Sequence, residues 1–207
     1  MVKYFGVNIR NKVDGLNLTK ENYIKINPKS SIIRGKVYTE SEINKKVADS
    51  LYNYDLNMNY FNSLAQVEFN KEIESFASNN ETFKEIMDLA PLSRVSGYYV
   101  MVLEEYKQVY IGRSQDIRVR ILSHWSKQKE FDRLIFGRKE DSILSIDSFR
   151  AYDTTRIFVY PTDNYIRLEN DFIDMFSEEF VLNRTGGGAL IGLIEAIMKR
   201  KTRKGMV

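Results

Sequence analysis

The sequence predicts an α+β chain: a small antiparallel sheet of about three strands flanked by helices, with a mostly helical region before it. Three observations carry this. Up to Pro91 the apolar residues recur mainly at helical spacing. Just beyond it, GYYVMVL (97–103) and QVYIG (108–112) are runs of aromatic and β-branched residues on either side of EEYK. From there to the end, helix-like and strand-like segments alternate.

Residues 1–90 are expected to form a mostly helical accessory region. YFGVNI (4–9) and NYIKI (22–26) suit short strands. VYTESEINKKVADSLYNYD (37–55) predicts a helix starting near Thr39, whose hydroxyl and the Glu42 carboxylate fit a capping box. MNYFNSLAQVEFNKEIESFA (58–77) predicts a longer amphipathic helix, with Phe61, Leu64, Val67 (or Ala65) and Phe76 near helical spacing; FKEIMDLA (83–90) follows before Pro91 interrupts.

Residues 91–207 are expected to carry the sheet. The two β-rich runs form a hairpin, and Ser114 caps a helix from Gln115 to about Trp125. SILSI (142–146) and RIFVYP (156–161) read as further strands. NYIRLENDFIDMF (164–176) reads as a helix bearing Glu169, with Ile166, Phe172 and Ile173 at helical spacing. VLNRTGGG (181–188) leads into a last helix, ALIGLIEAIMKR (189–200), whose basic end suits the C-terminal end of a helix dipole.

Composition narrows the chemistry. The chain has 207 residues, no cysteine and a single histidine, His124. Disulfides, cysteine-held zinc and a multi-histidine metal site within one chain are therefore excluded, and any metal must sit mainly on oxygen ligands, as magnesium, calcium or manganese do. No apolar run approaches membrane-spanning length, and MVKYFGVNIRNKVDG lacks the apolar core of a signal peptide, so a cytoplasmic protein with no membrane partner is expected. TGGG (185–188) lacks the GK[ST] of a nucleotide P-loop. Charge is uneven. Residues 1–90 balance, whereas 113–139 are rich in basic residues and KRKTRK (199–204) is almost wholly basic. A polyanionic substrate follows as an expectation.

The hairpin region concentrates chemistry. An even-numbered loop centred on Glu105–Tyr106 would set Met101 opposite Tyr110 and Tyr99 opposite Gly112, bringing Tyr99 and Tyr110 onto one face, one diagonal step apart, whereas an odd loop would separate them. On the following helix Arg120 and His124 are four residues apart and share a side, flanking the apolar Ile117 and Ile121. Two phenols thus meet a guanidinium and an imidazole. Taken singly, each has an ordinary reading: packing for the tyrosines, a satisfied group for the histidine, a solvated carboxylate for Glu169, a helix cap for Asn183.

Taken in order, these residues resemble the GIY-YIG nuclease superfamily: GYY (97–99), YIG (110–112), Arg120 ten residues after Tyr110, Glu169 on a helix after a strand, and Asn183 fourteen residues further on. The resemblance covers about residues 96–190 and leaves residues 1–90 outside it. Tyr98 stands where the family usually has isoleucine, at a position expected to point away from the site. Histidine four residues after the arginine is similar to the restriction-enzyme branch.

The resemblance implies a GIY-YIG-like fold and a metal-dependent DNA endonuclease, of restriction, mobile-element or phage type. It implies that Glu169 holds one divalent cation (Mg2+ or Mn2+) and that Arg120 stabilises the phosphate, its planar fork suiting two oxygens. Tyr99 and Tyr110 are the motif tyrosines, with Tyr99 favoured for activating water. His124 assists proton transfer or binds phosphate, and Asn183 braces Tyr110 or the backbone near the metal. Arg113 and Arg118, with Lys199, Arg200, Lys201, Arg203 and Lys204 of the tail, are expected on DNA phosphates, and a homodimer is expected if both strands are cut. Target recognition then falls to residues 1–90 or to insertions around 126–156. The alternative of another class is a nucleic-acid-binding or inhibitory protein that keeps the fold without cleaving.

Overall fold

The computed structural model describes residues 1–9, 15–24, 32–33, 36–127, 131, 139–140, 142–165 and 168–183. In chain order these form a hairpin of β1 (Val2–Tyr4) and β2 (Val7–Ile9), a single turn α1 (Lys20–Tyr23), a two-residue ladder of β3 (Ile32–Ile33) with β4 (Lys36–Val37), the long helix α2 (Glu40–Ser63) and α3 (Gln66–Asn79). Then come β5 (Lys84–Ile86), β6 (Gly97–Leu103), β7 (Gln108–Ser114), α4 (Ile117–Ser126), β8 (Arg156–Pro161) and α5 (Glu169–Ile173). The main sheet is antiparallel throughout, in the order β5–β8–β6–β7. The α+β class therefore holds. Among the described residues no helix is long and apolar enough to cross a membrane.

The hairpin adopts the register expected of an even-numbered loop. Leu103 faces Gln108 across the turn Glu104–Lys107, Met101 faces Tyr110 and Tyr99 faces Gly112. One face of the sheet carries Tyr99, Met101, Leu103, Ile157 and Val159. It packs on Ile117, Ile121 and Trp125 of α4, on Phe61 of α2 and on Leu144 and Phe149. The other face carries Tyr98, Val100, Val102, Ile111 and Phe158, against Phe69, Ile73 and Phe76 of α3 and against Phe172 and Phe176. With a layer on both faces, β6 is buried at every position. That is why GYYVMVL is apolar throughout instead of alternating.

Several elements depart from the sequence reading, each for a visible reason. The sheet has a fourth strand, β5, drawn from FKEIMDLA, where Lys84–Ile86 pairs with Val159–Ile157 and Glu85 forms a two-bond ion pair with Arg156. The first long helix does begin at a Thr39–Glu42 capping box, but it runs to Ser63, and the helix expected over 58–77 is split at Leu64–Ala65. NYIKI is not a strand at its start, because Thr19 caps a helical turn containing Asn22 and Tyr23; Lys25 and Ile26 lie outside the described residues. Asp116, not Ser114, caps α4, accepting from Val119 N–H at 2.9 Å. The Glu169 helix is a short turn, Glu169–Ile173. The last predicted helix and the basic tail, including Lys199, Arg200, Lys201, Arg203 and Lys204, lie outside the described residues.

SILSI is the most instructive departure. It pairs with no strand. Its backbone partners are asparagine side chains on the buried face of α2, one and two turns apart from Ser50. Asn53 Nδ2 donates to the carbonyls of Lys139 and Ser142, Asn57 Nδ2 donates to Ser142, and Asn57 Oδ1 accepts from Leu144 N–H at 3.2 Å. Ser50 adds a bond to the Phe131 carbonyl. A helix here does the work of a neighbouring strand, satisfying backbone groups that burial would otherwise orphan. Asn57→Ala strands the Leu144 N–H in the core, so urea denaturation should show a loss of about 2 kcal/mol. An exposed asparagine of the same helix, such as Asn62, should give a negligible change when replaced by alanine.

Candidate active site

The hairpin places two phenols side by side. The rings of Tyr99 and Tyr110 lie 6.3 Å apart, tilted by 43°. Two glycines make room for this. Gly112 faces Tyr99 across the ladder, and a methyl group there would overlap the Tyr99 hydroxyl; Gly97 has φ +149° and lies against the Tyr160 carbonyl, which a side chain would strike. The glycines of GYY and YIG thus have separate tasks, one at the strand entry and one under the phenol.

From α4, His124 reaches the same spot. Its Nε2 lies 2.9 Å from the Tyr99 hydroxyl, and its ring stands edge-on to Tyr110 at 5.2 Å. On its other side Nδ1 lies 2.6 Å from Asp147 Oδ1, and Lys127 Nζ is 3.4 Å from Asp147 Oδ2. His124 is buried, at 1% exposure. Arg120, one turn earlier, is partly exposed beside both phenols, and its charge opposes their other surroundings. Burial pushes Tyr99 well above the usual tyrosine range, with Tyr110 adding to it and Arg120 only partly offsetting it. Burial likewise pushes Tyr110 up to about 12 against the pull of Arg120. Both are neutral phenols at physiological pH. Burial holds His124 below its ordinary 6.5, against the opposing bond to Asp147. For Asp147 burial is outweighed by the His124 bond and the nearby Lys127 charge, so its carboxyl is held below the usual range and is ionised.

Glu169 joins from the opposite face of the sheet. Its Oε2 accepts from Arg113 Nε at 2.7 Å, and it lies close enough to Tyr99, Tyr110 and Arg120 for their charges to interact. Burial raises its carboxyl despite Arg113, which pulls the other way. Tyr98, pointing away from the phenol pair, sets where Glu169 stands. It is fully buried against Tyr160 and Phe172, and its hydroxyl accepts from Leu168 N–H at 3.0 Å, one residue before Glu169. Asn183 grips the free edge of β7 with both ends of its amide. Its Oδ1 accepts from Ile111 N–H at 2.9 Å and its Nδ2 donates to the Ile111 carbonyl at 2.7 Å, between Tyr110 and Gly112. Asn183 therefore braces backbone.

The structure thus brings together Tyr99, Tyr110, Arg120 and His124 in one cluster, with Glu169 at its margin and Asn183 beneath it. Arg113 is committed to Glu169, and Arg118 Nε is buried with no hydrogen-bond partner. Among the described residues no three His, Asp or Glu side chains are grouped to hold a metal ion, so a cation at Glu169 would not be caged by protein ligands. That suits a hard cation that keeps most of its water and takes phosphate oxygens, which is how magnesium is usually held. Arg113 must share or release the carboxylate for this to happen. Asp147 is the residue of the candidate site that sequence reasoning missed. It stands 23 residues from His124 in a segment without a motif, and only the fold joins them.

Gly112→Ala should keep the fold but expel the Tyr99 hydroxyl from His124, at a cost of about 1–3 kcal/mol for overpacking. Since His124 is the chain's one histidine, its ring resonances should move while the far-ultraviolet spectrum stays unchanged. Comparisons of the chain with protein-family models, with curated proteins and with solved structures return no match.

Proposed function

We propose that the chain is a divalent-metal-dependent endonuclease of the GIY-YIG type that hydrolyses phosphodiester bonds in DNA. One observation carries the reading: two neutral phenols, an arginine and a buried histidine converge on one face of a hairpin, with an isolated carboxylate at the margin. The order of hairpin, helix, third strand and short acidic helix supports the corresponding fold for residues 96–183.

Hydrolysis needs an activated water and neutralisation of charge gathering on the phosphorus oxygens. A free tyrosinate is out of reach, because burial keeps Tyr99 protonated. The 2.9 Å bond to His124 supplies another route. Tyr99 takes a proton from water as its own proton passes to His124 Nε2, so the phenol stays neutral and the imidazole gains the charge. Arg120, held beside the phenols, binds two non-bridging oxygens and stabilises their transition-state charge. Glu169 is the residue that would hold a divalent cation such as Mg2+ or Mn2+, which would supply further charge neutralisation. Tyr99 is fully enclosed in this structure, so the reading requires Arg120 to move onto the phosphate and uncover the hydroxyl.

A second reading has an observation of its own. Arg113 occupies the Glu169 carboxylate, which favours a chain that binds nucleic acid without loading metal. Manganese titration followed calorimetrically separates the two: the nuclease reading expects one site that Glu169→Gln removes, and the silent reading expects none in the wild type.

For the nuclease itself, plasmid DNA with magnesium, and EDTA as control, should show cleavage that falls by two or more orders of magnitude in Glu169→Gln, Arg120→Ala and Tyr99→Phe. Raising the metal concentration should not rescue Arg120→Ala, and DNA binding should survive in Glu169→Gln. Wild-type rates in both Glu169→Gln and Tyr99→Phe would overturn the mechanism. If Tyr110→Phe is the more damaging phenol change, Tyr110 is the water-contacting group. The pH dependence has a definite sign. His124 must be neutral to accept a proton, and its pKa is lowered, so cleavage should rise through an acid limb lying below pH 6.5 and be level just above it.

A further inference from the structure

We propose that Asp147 is a positioning residue that fixes His124 as the Nδ1-protonated tautomer, so that Nε2 presents its lone pair to the Tyr99 hydroxyl. The catalytic meaning of this rests on the nuclease reading; the tautomer itself does not.

The geometry leaves little freedom. An ionised carboxylate only accepts hydrogen bonds, so the 2.6 Å contact between Asp147 Oδ1 and Nδ1 places the ring proton on Nδ1. A neutral imidazole with its proton there has an acceptor at Nε2, and the partner at 2.9 Å is the Tyr99 hydroxyl, which must then be the donor. The reverse tautomer would aim an N–H at the Tyr99 oxygen and leave nothing to take the phenol's proton. Among the described residues the charged and titratable groups facing His124 are Tyr99 from β6, Tyr110 from β7, Arg120 and Lys127 from α4, and Asp147 from the turn Ile146–Ser148. Asp147 alone among them supplies an acceptor to Nδ1.

Asp147 is itself held on several sides. Ser145 caps its turn, with Oγ accepting from Asp147 N–H at 3.3 Å and the Ser145 carbonyl accepting from Ser148 N–H at 2.8 Å. Ile146 and Phe149 anchor the turn in the core, and Lys127 holds the second carboxylate oxygen. One residue before Ser145, Leu144 is bonded to Asn57 of α2. An unbroken series of contacts therefore runs from the buried face of α2 to the phenol. A carboxylate that merely fills a hydrogen bond would not need the Lys127 ammonium and a capped turn to aim it.

The test uses the full-length chain labelled with 15N-histidine, which gives the ring signals of one residue. At neutral pH the wild type should show the Nδ1-protonated form. In Asp147→Asn an amide that can donate to Nδ1 should shift the ring to the Nε2-protonated form or a mixture. Cleavage turnover should then fall by about 10²–10⁴-fold with little change in KM, as the same substitution does in a serine-protease triad (about 10⁴). Asp147→Glu should restore the wild-type tautomer in part, and it serves if Asp147→Asn does not fold. An Nε2-protonated wild type, or an Asp147→Asn protein that keeps the wild-type tautomer, overturns the proposal. A shifted tautomer with undiminished cleavage overturns the relay through His124. If the wild type never cuts DNA but the tautomer shifts as expected, the nuclease reading fails and the positioning role stands.

Discussion

Everything at the candidate site depends on the pairing register of one hairpin. Four residues join β6 to β7, and the resulting ladder sets Tyr99 opposite Gly112 and Met101 opposite Tyr110. A slip of one residue would send one phenol to the other side of the sheet and place a side chain where Gly112 now leaves room. The faces then divide the labour. Tyr99, Tyr110 and Gly112 look toward α4; Tyr98, Ile111 and Arg113 look toward α3 and α5. Because β7 is the last strand of the sheet, groups from the second face can reach the first around its edge. Glu169, steered by Tyr98 and tied to Arg113, comes close enough for its charge to act on both phenols.

Burial decides how these groups behave. A phenol in water loses its proton only near pH 10, and enclosure such as that of Tyr99 makes the anion harder still to form. The same enclosure keeps His124 neutral and receptive. On the proposed route, desolvation disfavours a tyrosinate and favours passing the proton to the imidazole, whose charge the Asp147 carboxylate would stabilise. The hydroxyl, imidazole and carboxylate stand in the order of a serine-protease triad, but on the proposed route the tyrosine passes on a proton from water and does not itself attack.

What the sequence made legible was what short-range periodicity controls. An even loop centred on Glu105–Tyr106 gave the hairpin register, Thr39 and Glu42 marked a helix start, and RIFVYP formed its strand. What it hid depended on distant partners. SILSI has the composition of a strand, yet Asn53 and Asn57, some 85–90 residues away, take the place of its neighbours. Lys84–Ile86 joins the sheet because β8 offers an open edge, a fact invisible in FKEIMDLA itself. The α4 cap moved two residues because Asp116 also receives the Arg94 N–H. Asp147 has no local signature at all, since its meaning is the position of another side chain.

Strand β5 carries a consequence for how such a site can be transplanted. Residues 84–86 cover the outer edge of β8, and Phe76 and Phe83 cover one face near Phe158, Phe176 and Phe172. A fragment beginning at residue 91 would keep every residue of the phenol–imidazole cluster and still expose an unpaired strand edge beside an uncovered aromatic face, the surface on which chains zip together and aggregate. It would also lose the asparagines that hold the segment leading to Asp147. The chemistry occupies a small patch, but its inheritance unit is larger: recombination that swaps the cluster without its N-terminal scaffolding would transmit the side chains and lose their arrangement.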